Sequence, residues 1–169
     1  MITIYSDFYY SELTQKIYNH IINSLNLLAL VCPACGNSGC MVVHGYYSRG
    51  VKTTNGFLSL CVMRVKCKVC KRTHALLPDS VIPYSFIQNK DAIRILTNDN
   101  VKKLMEDNTL INESDIFHLR SLYNHFFKQL IISYQIKLDY SVTYNCLLTF
   151  FRSFMQIRRG VNILFKPST

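Results

Sequence analysis

Residues 13–78 contain no aspartate and no glutamate, although Lys16, Arg49, Lys52, Arg64, Lys66, Lys68, Lys71 and Arg72 all fall there. A merely solvated face usually mixes signs, so this stretch reads as a surface for a polyanion. Acids are scarce everywhere: 10 Asp and Glu against 19 Lys and Arg give a formal charge of +9 over 169 residues. Cutting DNA would require a set of carboxylates around divalent ions. The acids that are present, including Asp79, Asp91, Asp99, Glu106, Asp107, Glu113 and Asp115, cluster in a later region with no nuclease-like strand pattern. There is no phosphate-cradling GxxxxGK[ST] loop and no GxSxG nucleophile turn. The chain is therefore read as non-catalytic. Tryptophan is absent, and no internal repeat, low-complexity tract or Gly/Ser linker interrupts the sequence. Long apolar runs are missing too. The most apolar early run, residues 21–31, is broken by Asn23, Ser24 and Asn26 and is too short for a bilayer. No signal-peptide pattern opens the chain. The expectation is a soluble cytoplasmic protein without a membrane partner.

What is abundant is cysteine, with 7 residues. An odd count arranged around two C-x-x-C pairs does not look like a secreted disulfide framework and fits a reducing compartment. Cys32 and Cys35 form one pair, Cys67 and Cys70 the other. Each pair can make a tight knuckle whose sulfurs converge, and two knuckles supply the closed tetrahedral shell of a structural zinc ion. Pro33 and Gly36 suit the first turn, and Lys68 and Lys71 offset the negative charge of the second. Cys40, Cys61 and Cys146 have no partner at ligand spacing and read as small core residues. His44 and His74 lie near the cysteines but rank behind them as ligands.

Between the pairs, residues 41–49 and 57–67 alternate and are rich in β-branched and aromatic side chains, with Asn55-Gly56 between them as a hairpin turn. On the second strand Arg64 and Lys66 point to one face, Met63 and Val65 to the other. Residues 2–5 predict a short strand, and Leu13, Ile17 and Ile21 predict a helix with Ser11 as its cap. After Pro83 the period becomes helical over residues 87–96, 101–105 and 114–136, with Ser114 or Asn112 capping the third segment and a last helix over 141–155. A short second and long third segment have the layout of a helix-turn-helix, the last helix offering Arg120, Asn124 and Lys128 to a DNA groove. The same helix carries a broad apolar surface, so a core helix with a polar stripe fits equally well by itself.

The fold class expected is α+β: an N-terminal strand and helix over 1–31, a zinc-ribbon β-hairpin over 32–78, and a helical, helix-turn-helix-like bundle over 79–169. Candidate phosphate contacts on the ribbon are Arg49, Lys52, Arg64, Lys66, Lys68, Lys71 and Arg72. The function expected is zinc-stabilised binding of double-stranded DNA. The alternative is an adaptor that docks on a transposase, polymerase or other protein.

The runs CPACGNSGCMVVHGYYSRG and RVKCKVCKRTHALLPDSVIPYS resemble the zinc ribbon of a family of small bacterial proteins of unassigned function, and that of the N-termini of some insertion-sequence transposases. The stretch MEDNTLINESDIFHLRSLYNHFFKQL and the later FMQIRRGVNILF also resemble the small-protein family. The resemblance implies a mobile-element-associated DNA binder with zinc ligands at Cys32, Cys35, Cys67 and Cys70. It assigns no DNA-contacting residue. Phe126 or Phe127 stands where the resemblance leads one to expect a tryptophan.

Overall fold

A computed structural model describes residues 1–4, 12–83, 85–97, 101–122 and 124. Among them are four strands and four α-helices: β1 (Ile2–Ile4), α1 (Gln15–Asn23), β2 (Met41–Thr53), β3 (Gly56–Cys67), β4 (Thr73–Pro78), α2 (Asn89–Leu96), α3 (Val101–Asp107) and α4 (Glu113–Leu122). The class is thus mixed α and β. The chain divides into two compact units, residues 1–81 with 85–88, and residues 82–84 with 89–169.

In the first unit the sheet order is β1-β4-β3-β2. β2 and β3 form a long antiparallel hairpin from Met41↔Cys67 at one end to Thr53↔Gly56 at the other. The reversal sits one residue earlier than the Asn55-Gly56 signal suggests: Thr54 and Asn55 form the loop, and Gly56 takes the positive φ of +125°. Thr53 Oγ1 donates to the Gly56 carbonyl at 2.8 Å and closes it. A bulge between Val43 and Gly45 leaves His44 unmatched.

Burial along β3 changes face. Leu60 and Val62 are buried toward the turn, whereas Val65 and Cys67 are buried at the cysteine end. Side chains alternate along a strand, so these two pairs lie on opposite sides of the hairpin. The expected division, with Arg64 and Lys66 outward and Met63 and Val65 inward, therefore holds at the cysteine end alone. β4, which carries no clear periodic signal, pairs with β3 there through Arg64↔Ala75, Val65↔His74 and Lys66↔Thr73. β1 then adds in parallel to β4 through Ile2↔Leu76 and Ile4↔Pro78.

Beyond the reach of β4, the edge of β3 is satisfied by α1 side chains. Gln15 grips the Cys61 backbone at both atoms, accepting from its N–H at 2.7 Å and donating to its carbonyl at 3.3 Å. Tyr18 Oη accepts from Met63 N–H at 2.8 Å and donates to the Leu76 carbonyl at 3.1 Å, joining two strands where they separate. Glu12 accepts from Thr54 N–H at the hairpin turn. Thr14, rather than Ser11, caps this helix by accepting from Ile17 N–H; Ser11 lies outside the described residues. Leu13, Ile21 and Ile22 are buried in the core beneath the sheet strands, together with Val51, Leu76 and Leu77.

The free edge of β2 is covered near the turn by Ser85–Gln88. Lys52 N–H donates to the Phe86 carbonyl at 2.7 Å, Gln88 Nε2 donates to the Lys52 carbonyl, and Arg49 Nη2 donates to the Ser85 carbonyl at 3.0 Å. The exposed Phe57 ring lies over Gly50, where a Cβ would fall 2.2 Å from its Cζ, and meets Phe86 at 6.1 Å between centroids.

In the second unit, Ala92, Ile93 and Ile95 of α2, Leu104 of α3, Ile111, and Ile116 and Leu119 of α4 are buried. Asn112 caps α4 reciprocally: Asp115 N–H donates to Asn112 Oδ1 at 2.9 Å, and Asn112 N–H to Asp115 Oδ2 at 3.0 Å. The sequence expected α4 to run further. Its continuation, with Lys128, Phe126 and Phe127, lies outside the described residues, as do the last expected helix and Cys146.

Tyr18→Phe tests the edge arrangement. The Met63 N–H loses its acceptor, and unfolding in urea at neutral pH is expected to show a loss of about 1–3 kcal/mol. Burial pushes the Tyr18 hydroxyl from 10.0 to about 12, so the fold favours its neutral form. The stability that this neutral form contributes is present below pH 10.0 and is lost as the pH rises to about 12. The gap between wild type and variant should shrink across that window.

Candidate metal centre

Each C-x-x-C folds by the same local rule. Cys32 N–H donates to the Asn37 carbonyl at 2.9 Å, and Gly36 N–H donates back to the Cys32 carbonyl at 2.8 Å. In the second pair, Cys67 N–H donates to the Arg72 carbonyl at 2.9 Å and Lys71 N–H to the Cys67 carbonyl at 3.0 Å. The residue after the second cysteine is left-handed in both, at φ +74° for Gly36 and +62° for Lys71. Glycine adopts this conformation freely; lysine does so at a cost of about 1 kcal/mol or more.

The hairpin register then sets the two knuckles side by side. The four sulfurs of Cys32, Cys35, Cys67 and Cys70 all lie within 4.8 Å of one another, and this is the one such metal-capable group among the described residues. Cys32 and Cys70 sulfurs are 3.6 Å apart, those of Cys35 and Cys67 3.7 Å. A disulfide would require about 2.0 Å, and a tetrahedral ion with metal–sulfur bonds of about 2.3 Å requires edges of about 3.8 Å. The spacing is that of ligands.

The electrostatics agree. The Cys70 N–H, which donates to the Cys67 sulfur at 3.4 Å, holds the Cys67 thiol down at about 6. Asn37 Nδ2 donates to the Cys35 sulfur at 3.3 Å, and that amide lowers the Cys35 pKa. Cys70 moves the opposite way, to about 12: a hydrogen bond from the Arg72 backbone lowers it, but desolvation and the neighbouring thiols prevail. Four thiolates at this separation repel one another strongly in a half-buried site. A cation removes the conflict, so binding one releases protons.

His74 is buried, with Nε2 at 3.4 Å from the Cys32 sulfur and Nδ1 at 3.0 Å from the Met1 amine. Burial, then the nearby positive charges, lower its pKa. His44 is exposed at the bulge. Two participants escaped the spacing argument. Asn37 acts through its side-chain amide, and Cys40 sits with its sulfur 3.3 Å from that of Cys67. Cys40 is buried as expected of a core residue; Cys61 is exposed.

The expected nucleic-acid contacts fall in three environments. Arg64, Lys68, Lys71 and Arg72 are exposed at the cysteine end, with Lys66 half-buried beside Arg64 on the strand and Arg64 over the Tyr47 ring at 5.9 Å. Arg49 and Lys52 are half-buried toward the hairpin turn, tied to the 85–88 segment by the bonds given above. In the second unit Arg120 Nε donates to the Ile95 carbonyl at 3.3 Å, joining α4 to the end of α2, while Asn124 is exposed. An open cleft of about 950 Å³ there is lined by Val101, Met105, Ile116, Phe117 and Asn124, among others. No helix among the described residues is long and apolar enough to cross a membrane.

Residues 32–114 match a family model described as a domain of unknown function, DUF6431. The match begins at the first metal-capable cysteine and runs through the hairpin, β4, α2 and α3 to the start of α4. Neither the curated proteins nor the solved structures yield a match.

The arrangement predicts one tightly held divalent ion per chain. Stripping it with a strong chelator should lower the melting temperature of the first unit by at least about 10 °C, since about 2 kcal/mol already corresponds to about 8–16 °C in a unit of this size. Elemental analysis beside a thermal melt checks both.

Proposed function

We propose that the chain is a non-catalytic, zinc-stabilised binder of double-stranded DNA, with a zinc ribbon as its anchoring element. The donor set supports zinc: four thiolates at tetrahedral spacing suit this ion, and a shell complete without water serves folding and leaves no position for activating a substrate. The observation that carries DNA binding is the concentration of exposed positive charge at the cysteine end. Arg64, Lys68, Lys71 and Arg72 meet there, joined by Lys66, in a stretch with no acid from residue 13 to 78. The nearest acids in sequence are occupied elsewhere: Glu12 accepts from the hairpin turn and Asp79 is buried.

Such a surface binds phosphates by releasing counterions, with little dependence on base sequence. On this reading, recognition of base sequence falls to the α2–α3–α4 segment, taken as helix-turn-helix-like. Asn124 is its exposed polar candidate, joined by Lys128 from the sequence; Arg120 is better read as a brace between helices. The link to mobile elements and to a cytoplasmic site of action rests on sequence resemblance and composition.

One observation favours a second reading. Phe117 is 75 % exposed beside Val101, Met105 and Ile116 in the cleft of the second unit, which suits docking on a protein such as a transposase or polymerase.

Lys71→Gly separates charge from folding. It removes one cation and relieves the left-handed lysine, so stability should stay level or rise by up to about 1 kcal/mol. The slope of log affinity against log salt for a generic duplex should meanwhile fall by about 0.9. Fluorescence anisotropy over a salt series reads this. No duplex affinity at low salt for the zinc-loaded wild type would remove the DNA reading.

A further inference from the structure

A fifth sulfur touches the four-cysteine group at Cys67 without itself belonging to that group. The sulfur of Cys40 is 3.3 Å from that of Cys67, closer than any sulfur contact within the four-cysteine group given above. The sheet puts it there. Met41 is the register partner of Cys67, so Cys40 lies one residue beyond that pair, and its carbonyl accepts the Lys68 N–H at 2.8 Å. Cys40 thus follows the first knuckle in sequence yet is fastened to the second. Its thiol donates to the Asn37 carbonyl at 3.2 Å, and the Asn37 side chain in turn donates to the Cys35 sulfur. The fifth sulfur is therefore bound into both halves of the centre.

We propose that Cys40 is a reserve ligand of the metal centre, able to take the coordination position of Cys67. The inference rests on the metal reading of the four cysteines. In the exchange the Cys40 S–H would turn from the Asn37 carbonyl to the Cys67 sulfur and give it the proton, while the metal–sulfur bond would pass from Cys67 to Cys40. One metal–sulfur and one S–H bond break, and one of each forms, so neither an oxidant nor an external base is required. The ion keeps four thiolates and the charge of the shell is unchanged. Of the four ligands, Cys67 is the one with an extra thiol at contact distance, so the reserve serves that position.

Cobalt(II) loading of the full chain tests this, because sulfur-to-cobalt charge-transfer intensity counts the thiolates. Wild type and Cys40→Ser should both give the four-thiolate spectrum. Cys67→Ser and Cys67→Ala should keep it, with affinity weakened by about tenfold to a hundredfold. The double variant Cys67→Ser/Cys40→Ser should drop to the three-thiolate intensity and bind at least about tenfold more weakly again. Three-thiolate spectra, or no cobalt uptake, in both Cys67→Ser and Cys67→Ala would overturn the reserve role. A wild type without the four-thiolate spectrum would instead overturn the metal reading beneath it.

Discussion

The convergence of four cysteine sulfurs on one small volume is the constraint around which the first unit is organised. Two turns distant in sequence bring four sulfurs within 4.8 Å, an arrangement that backbone hydrogen bonds prepare and that only a shared cation makes comfortable. Each knuckle is closed by the same pair of backbone bonds, and the hairpin register, Met41 against Cys67, places one knuckle beside the other. β4 leaves the second knuckle and pairs straight back onto β3, and β1 pairs with β4. The centre therefore fixes the end of the sheet from which three of its four strands are positioned.

The same geometry gathers positive charge. Lys68, Lys71 and Arg72 belong to the second knuckle, and Arg64 and Lys66 to the strand that enters it. On the reading proposed here, the thiolate cluster lowers the local positive field enough for these cations to sit together, and phosphates complete the neutralisation. Holding lysine in a left-handed turn beside this cluster is a local strain that the two backbone bonds of the knuckle sustain. The second unit has a small apolar core of its own and the buried contact of Asn108 Nδ2 with Asp91 Oδ2 at 3.3 Å.

The cysteine group, the hairpin and the starts of three later helices were legible because each leaves a local mark. C-x-x-C spacing, strict alternation and a capping asparagine are all decided within a few residues. The rest depends on contacts between segments far apart in sequence. β4 has no alternation of its own, since Leu76, Leu77 and Pro78 are all buried, and it becomes a strand by pairing with β3 and β1. Burial on β3 changes face where partners change, which no single-strand pattern records. Arg49 looks like any basic strand residue until the Ser85 carbonyl is placed against it. Cys40 likewise has no ligand spacing, and only the register brings its sulfur to Cys67.

X-ray absorption at the metal edge of the purified, loaded chain tests the central claim most directly. The account predicts a zinc ion with four sulfur neighbours at about 2.3 Å and no oxygen or nitrogen in its first shell. A shell containing fewer sulfurs, or one completed by water or imidazole, would contradict it.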